Sequence, residues 1–254
     1  MIPILAKHGG YRKTLTFAYA CLIYHATETF CARNYSYHSD PLGKTVGQML
    51  GAARSARQNL VEGSSRAGTS KETELKLYDV ARGSLEELAG DYEAFLVGRG
   101  VAPWAASDPA ATQFKSLRLD LYDGDLGENA RHDYAEYLME MRRRFSPWLE
   151  AEDPLLAANA LLAAIDRACA LLARQIAAAG EEFREQGGFT ERMTAARLEQ
   201  RDVQAGADGA PKCPECGRRM RKVLAKKGRN SGNAFWSCIG YPECKGTRMV
   251  EEEG

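Results

Sequence analysis

Four cysteines near the C-terminal end of this 254-residue chain constrain its fold more than any other feature. Cys213 and Cys216 are separated by two residues, Cys238 follows after a gap of 21 residues, and Cys244 follows after a gap of five. Two cysteines at the first spacing form a turn whose thiolates point at one centre, and a second pair brought in by a hairpin completes tetrahedral sulfur coordination. The spacing therefore predicts a Zn²⁺ site with these four ligands. Because four thiolates leave no position for water, the site would be structural and not catalytic.

The segment around these cysteines is too small to fold on apolar burial alone. Residues 212–250 contain few large apolar side chains, and units of this size usually need a metal or disulfides. A structural zinc ion contributes about 10 to 16 kcal/mol in small finger peptides. Gly217 follows the first pair, and Gly240 with Pro242 shapes the turn before Cys244. We therefore predict a small β zinc ribbon, and the alternative is four free cysteines in a disordered basic tail.

Charge is distributed unevenly along a chain whose formal net charge is zero. Residues 212–250 have a net charge of +8, residues 1–211 of −5, and Glu251 to Glu253 add −3. Aromatic side chains are interleaved with the cations of the basic segment, and bases stack on such rings at about 1 to 3 kcal/mol each. The predicted nucleic-acid contacts are Arg218, Arg219, Arg221, Lys222, Lys226, Lys227, Arg229, Phe235, Trp236, Tyr241, Lys245 and Arg248. The alternative is that these rings only pack on the metal site, and we expect at least one of the three to be structural.

The rest of the chain carries helical periodicity and no strand signal. Apolar residues recur every three or four positions in four long segments, and such stripes can be buried only against one another. We predict Asp40-Pro41 as the start of the second helix, Gly63 as its C-terminal cap, and a Thr69-x-x-Glu72 capping box at the start of the third. The predicted fold class is an all-α four-helix bundle with a helical insertion, followed by the β zinc ribbon. The predicted helices cover 14–31, 42–63, 69–98 and 153–183, with shorter pieces at 110–122 and 128–145.

The same patterns give the domain boundaries. The bundle is predicted at 10–200, with the insertion at 101–150 and a suffix at 187–200. Residues 201–211 lack an apolar period and contain two glycines and a proline, which is typical of a flexible linker. The ribbon occupies 212–250.

Two groups of cations in the predicted bundle allow two interpretations. Arg54 and Arg57 are three positions apart on the predicted second helix, and Arg66 and Lys71 follow at the next turn and helix start. They could form a local basic patch, or they could be scattered solvated charges. Arg142 to Arg144 can be interpreted in the same two ways. No histidine stands at a metal-ligand or catalytic-triad spacing, and we expect Cys21, Cys31 and Cys169 to be small core thiols.

Two stretches of the bundle resemble signature sequences of a known family. They are Gln58-Asn59-Leu60-Val61-Glu62-Gly63-x-x-Arg66 and Gly83-Ser84-Leu85-Glu86-Glu87-Leu88. The family is the four-helix-bundle proteins encoded in ribosomal RNA intervening sequences, together with the accessory variability proteins of diversity-generating retroelements. The resemblance covers residues 11–186, and residues 187–193 resemble the suffix of its four helix bundle suffix branch. It implies a non-enzymatic protomer that assembles in several members as a ring of five, and a reverse transcriptase as a partner.

The basic segment resembles the four-cysteine zinc ribbon repeated at the C-terminus of bacterial type IA DNA topoisomerases. The matching residues are Cys213-Pro214-x-Cys216-Gly217, Phe235-Trp236-x-Cys238 and Tyr241-Pro242-x-Cys244. This resemblance implies binding of single-stranded DNA, although stacking and phosphate attraction alone do not distinguish DNA from RNA.

Together these features predict a non-catalytic, zinc-dependent nucleic-acid-binding protein that forms homo-oligomers. The alternative is a protein-interaction scaffold whose ribbon docks a protein partner. The sequence favours a cytoplasmic protein without a membrane segment. Its seven cysteines are an odd number and do not suggest a secreted disulfide framework, the apolar run at the N-terminus is too short for a signal peptide, and there is no long apolar run.

Overall fold

The computed structural model describes residues 10–207, 210–225 and 232–250. The chain is mostly helical, with a three-stranded antiparallel sheet near its C-terminus. It divides into a helical unit that ends at Gln186 and a C-terminal unit that begins at Gly187. The helices are α1 (Leu15–Asn34), α2 (Lys44–Arg66), α3 (Lys71–Val97), α4 (Pro109–Ser116), α5 (Ala130–Leu149), α6 (Pro154–Gln186) and α7 (Phe189–Ala207), and the strands are β1 (Met220–Leu224), β2 (Ala234–Cys238) and β3 (Thr247–Met249).

Helix α1 lies in the interior of the helical unit. The Thr14 hydroxyl caps it by accepting a hydrogen bond from the N–H of Phe17 at 3.3 Å. All eight residues from Thr16 to Ile23 are buried, so α1 has no solvent-exposed face over these two turns. Helices α2, α5 and α6 all contact it.

The four long helices contact one another in a closed cycle. Helix α1 contacts α2 and α6, and α3 contacts the same two helices. Their facing side chains form one apolar core that includes Leu85 and Leu161, both with no exposed surface. Within this core the buried Tyr92 hydroxyl donates to Thr27 Oγ1 at 2.9 Å, which satisfies both polar groups. The predicted stripes are therefore buried against one another.

The ends of α2 differ from the prediction. The helix begins at Lys44, after Gly43 with a φ of +60°, and the Asp40 carboxylate reaches over this turn to accept from the N–H groups of Lys44 and Val46, both at 3.0 Å. Gly63 is not a C-terminal cap, because the helix continues to Arg66. A Cβ atom at Gly63 would lie 2.7 Å from the ring of Tyr78, so glycine permits the close approach of α3.

The predicted capping box at the start of α3 is also wrong by one residue. Ser70 is the N-cap, and its hydroxyl accepts from the N–H of Thr73 at 3.2 Å. The Thr69 hydroxyl instead donates to the carbonyl of Arg66 at the end of α2. Thr69 and Ser70 both carry a hydroxyl that suits an N-cap. Thr69 is used in the turn after α2, so Ser70 caps α3.

The segment predicted as an insertion, 101–150, forms α4 and α5 and covers part of the core. Helix α5 contacts α1 and α6. Phe145 is 1% exposed, and its ring centroid lies 6.2 Å from that of Tyr19 in an edge-to-face arrangement. On α6, the Arg167 guanidinium donates to the carbonyls of Leu117 at 2.7 Å and Lys115 at 2.6 Å. These bonds attach the connection between α4 and α5 to the long helix.

Part of the predicted linker is helical. Helix α7 runs to Ala207, so 201–207 continue the helix begun in the predicted suffix. The helix can continue through 201–207 because no proline stands between the end of α6 and Pro211 to interrupt it. The helix break falls earlier, at Gly187 with a φ of +67°. Ala210 is 4% exposed and packs on Ile239, so the folded C-terminal segment extends two residues before 212.

Within the part of the chain that the structure describes, one helical stretch is long and apolar enough to cross a membrane by length and composition alone. It spans Pro154–Gln200, and 56% of its most apolar 18-residue window is buried within the protein. Core helices meet the same criteria, and in α6 the side chains of Leu161, Ile165 and Leu172 belong to the apolar core. The stretch is weak evidence for a membrane segment.

Replacing Phe145 tests whether α5 is part of the core. We expect Phe145→Ala to lower the free energy of unfolding by about 3 to 5 kcal/mol, because it removes a buried ring and leaves a cavity. Met139→Ala on the same helix, where the side chain is 58% exposed, should change it by less than about 0.5 kcal/mol. Urea unfolding followed by circular dichroism measures both. Equal small effects would mean that α5 is peripheral.

Candidate metal centre and adjoining sheet

The four cysteines predicted as metal ligands lie together in the C-terminal unit. Their sulfur atoms are all within 4.8 Å of one another. The Sγ atoms of Cys213 and Cys244 are 3.7 Å apart, and those of Cys216 and Cys238 are 3.5 Å apart. A tetrahedral site with metal–sulfur bonds of about 2.3 Å has sulfur–sulfur edges of about 3.8 Å. The cluster therefore has the dimensions needed to hold one metal ion, and none of its cysteines forms a disulfide.

A tight turn positions the first pair. The N–H of Gly217 donates to the Cys213 carbonyl at 3.0 Å, and the N–H of Cys213 donates to the Arg218 carbonyl at 2.6 Å. Gly217 has a φ of +73°, a conformation that favours glycine. The chain thus reverses directly after Cys216, and both sulfurs face the same point.

The second pair is positioned by the end of β2 and the turn that follows. The N–H of Gly240 donates to Cys238 Sγ at 3.3 Å, and the N–H of Cys244 donates to the Gly240 carbonyl at 2.9 Å. Gly246 completes the arrangement, because a Cβ atom there would overlap Cys213 Sγ. Gly246 was not among the predicted residues, although its position two residues after Cys244 was a usable signal.

The cluster is enclosed unevenly. Cys213 and Cys238 are buried, Cys244 is half-buried and Cys216 is exposed. Met220 has no exposed surface and packs against Cys213 and Cys238, with Trp236 beside it. A site of four sulfurs with an apolar wall is suited to holding an ion for structural purposes, because no ligand position is left for water or substrate.

Backbone amides favour a negative charge on one sulfur. Burial raises the pKa of the Cys213 thiol, but the N–H groups of Cys216 and Glu215 outweigh it and lower the pKa to about 7. For Cys244, the N–H of Gly246 lowers the pKa, but the sulfur of Cys216 and burial raise it to about 12. The cluster therefore carries one thiolate more readily than several. A bound cation would compensate the charge of all four sulfurs.

The sheet next to the cluster has two different faces. Strand β2 pairs with β1 and β3, and the register places Trp236 between Lys222 and Arg248. Because successive side chains of a strand point to opposite sides, Phe235 lies on the other face, between Val223 and Met249. The prediction treated these two rings as one surface, but the pleat separates them.

The three predicted aromatic contacts have different environments. Trp236 is half-buried and packs both on the cysteine cluster and on Ala210 with Ile239, so it has a structural role. Phe235 is half-buried, and Tyr241 is 57% exposed in the turn after β2. Of the three rings, Tyr241 is the exposed one, and Phe235 is half-buried on the face opposite Trp236.

Most of the predicted cations that the structure describes are exposed. The exception is Arg219, which is half-buried and donates to the Ala210 carbonyl at 3.3 Å. Lys226, Lys227 and Arg229 lie outside the described residues. Two exposed apolar side chains, Leu224 and Met249, each 63% exposed, were not predicted as part of this surface. The exposed predicted cations are Arg218, Arg221, Lys222, Lys245 and Arg248.

The cations considered for a basic patch on the helical unit do not form one continuous surface. Lys71 is buried in ion pairs, and Arg66 lies 3.8 Å from the Glu62 carboxylate. Arg57 lies over the ring of Tyr24 at 4.3 Å, and Arg54 is exposed. Helical arginines of the second group each pair with a carboxylate: Arg142 with Glu150, Arg143 with Glu140 and Arg144 with Asp120.

Comparison with known proteins adds no relative. No family model, no curated protein and no solved structure matches this chain. The geometry of the cluster and of the sheet is therefore the basis for assigning a function.

Removing one cluster cysteine tests the metal centre. We expect the purified protein to contain one metal ion per chain, and Cys213→Ser to lose it, because a site worth about 10 to 16 kcal/mol depends on all its ligands. The sheet should then become sensitive to protease. Cys169→Ser, at a half-buried cysteine of α6, is the matched control and should keep the metal. Elemental analysis and limited proteolysis measure these effects. Full metal content in Cys213→Ser would contradict the assignment.

Proposed function

We propose that this protein binds Zn²⁺ through Cys213, Cys216, Cys238 and Cys244 and binds single-stranded nucleic acid on the adjoining sheet, without catalysis. The observation that carries the proposal is the position of the cysteine cluster. It lies at one end of a sheet with exposed cations, and the half-buried ring of Phe235 and the exposed ring of Tyr241 are close to it in sequence. A donor set of four sulfurs in these dimensions is typical of structural zinc.

Charge supports a nucleic-acid ligand. The net charge of +8 falls on residues 212–250, whereas residues 1–211 are net negative. Exposed cations displace condensed counterions when they contact phosphates, and this release drives binding. A protein-docking module has no need for so many cations of one sign.

Because Trp236 packs on the cysteine cluster, the opposite face of the sheet is the favoured binding surface. There Phe235 lies between Val223 and Met249, and Arg221 lies opposite Ser237 in the neighbouring row. A base stacked on Phe235 would have apolar side chains on both sides and an exposed guanidinium within the same face. Tyr241 offers a second stacking surface.

For the helical unit, the proposal is a four-helix bundle that forms homo-oligomers. The closed cycle of contacts among α1, α2, α3 and α6 supports the bundle. Residues 58–66 and 83–88 resemble the intervening-sequence and accessory variability family, and this resemblance supports oligomers. A ring of five is the specific expectation. Several ribbons on one assembly would raise affinity by about 100- to 10,000-fold through effective concentration. By the same resemblance, a reverse transcriptase is the proposed protein partner. Free thiols throughout the described chain suit a reducing compartment such as the cytoplasm.

A second candidate function is a scaffold whose ribbon docks a protein. The exposed apolar side chains of Leu224 and Met249 favour it, since such groups are common at protein interfaces. Nucleic-acid binding that depends weakly on salt would support this alternative.

Fluorescence anisotropy with labelled single-stranded DNA, single-stranded RNA and duplex DNA tests the proposal. We expect the single strands to bind more tightly than duplex. Phe235→Ala should weaken binding by about 1 to 3 kcal/mol through lost stacking. Arg221→Ala should lower the slope of log K against log salt by about 0.7, the value of one phosphate contact on a single strand.

Two matched variants in the helical unit control for general effects. Phe183→Ala removes a 44% exposed ring, and Arg143→Ala removes an exposed guanidinium. Neither should change affinity. If Phe183→Ala and Arg143→Ala weaken binding as much as Phe235→Ala and Arg221→Ala do, the sheet is not the nucleic-acid surface. The same conclusion follows if no single strand binds.

A further inference from the structure

The four cluster cysteines are not equally accessible to a reagent in solution. Cys216 is exposed and Cys244 is half-buried, whereas Cys213 and Cys238 are buried. Met220, which has no exposed surface, packs against the two buried cysteines, and Trp236 packs beside it. A small reagent that attacks sulfur therefore reaches Cys216 before the other three.

A second sulfur lies next to this exposed cysteine. Cys238 Sγ is 3.5 Å from Cys216 Sγ, and the sulfurs of Cys213 and Cys244 are 3.7 Å apart. The two sulfurs of a disulfide are about 2.05 Å apart, so a shift of about 1.5 Å would join Cys216 to Cys238. The cluster therefore holds a resolving cysteine beside the accessible one.

An exposed guanidinium also lies beside the cluster. A Cβ atom placed on Gly240 would be 2.7 Å from Arg218 Nη1 and 3.5 Å from Cys238 Sγ, so the guanidinium and this sulfur approach the same point. Arg218 is exposed. A cation at this position stabilises the negative charge of a leaving group such as hydroxide.

The three cysteines of the helical unit have a different environment. Cys21 and Cys31 are buried, and Cys169 is half-buried. Burial raises the pKa of the Cys21 and Cys31 thiols to about 12 and that of the Cys169 thiol to about 11. These thiols stay protonated at neutral pH and react slowly with oxidants, because the thiolate is the reactive form. Oxidation of the chain is therefore directed to the cluster.

We propose that the cysteine cluster is a redox switch, in which hydrogen peroxide oxidises Cys216 and the resulting disulfide releases the metal ion. This inference rests on the proposed function, because it requires a metal bound by the four sulfurs. It goes further by assigning the site of oxidation and the loss of the metal as its result.

The reaction has two steps and uses one molecule of peroxide. The Cys216 thiolate attacks a peroxide oxygen, so that a sulfur–oxygen bond forms, the oxygen–oxygen bond breaks and hydroxide leaves. The Cys238 thiolate then attacks the Cys216 sulfur, so that the disulfide forms, the sulfur–oxygen bond breaks and a second hydroxide leaves. Each sulfur loses one electron, and each peroxide oxygen gains one. The thiolates of Cys213 and Cys244 remain, and these are too few for a tetrahedral site of four sulfurs.

Peroxide treatment of the full chain tests the proposal, with the released metal measured by the absorbance of a zinc-binding dye. We expect the unmodified protein to lose its metal ion. Cys216→His replaces the exposed sulfur by another zinc ligand, so this variant should keep the metal through the same treatment. Cys244→His is the matched control. It also has three cysteines and one histidine, but it retains Cys216 beside Cys238 and should lose the metal as the unmodified protein does.

Peptide mass spectrometry after alkylation of free thiols covers the case in which Cys216→His fails to bind metal. In the unmodified protein the first disulfide should join Cys216 to Cys238, while Cys169 stays a free thiol. A first disulfide that lacks either cluster cysteine of this pair would overturn the proposal. Metal that stays bound in excess peroxide, or equal metal loss in Cys216→His and Cys244→His, would also overturn it. A protein without metal before peroxide is added would contradict the proposed function, and this inference with it.

Discussion

The convergence of four cysteine sulfurs within 4.8 Å is the constraint on which the C-terminal segment depends. Around it the described residues bury little else: Met220 and Ile239 are its large buried apolar side chains. So small a core cannot offset the conformational entropy lost by ordering residues 210–225 and 232–250, whereas a metal bound by four thiolates can. The tight turns at Gly217 and Gly240 and the close approach at Gly246 all serve to bring the sulfurs together.

The helical unit is stabilised differently. Its central helix, α1, is enclosed over two full turns by α2, α5 and α6, so apolar burial alone accounts for its order. The segment predicted as an insertion contributes to this enclosure through Phe145. In such a core the buried Lys71 is an exception, and its ammonium is compensated by ion pairs with the carboxylates of Glu74 and Glu182.

The sequence was sufficient for features that depend on local spacing. The cysteine intervals predicted which four side chains meet, and the apolar period located the long helices. Features that depend on distant residues could not be predicted. Gly63 is needed because the ring of Tyr78 on the next helix lies against it. Lys71 is paired with Glu182, which is 111 positions away in the sequence. Phe235 and Trp236 are neighbours in sequence, but the pleat of β2 sends them to opposite faces, and only the register with β1 and β3 shows what surrounds each ring.

The central claim is that one metal ion is bound by all four sulfurs and stabilises the sheet that carries the cations and rings. X-ray absorption spectroscopy at the zinc edge of the purified protein tests it most directly. The account predicts a first shell of four sulfur atoms at about 2.3 Å with no nitrogen or oxygen neighbour. A shell containing fewer sulfurs, or a protein that folds its C-terminal sheet without any metal, would contradict it.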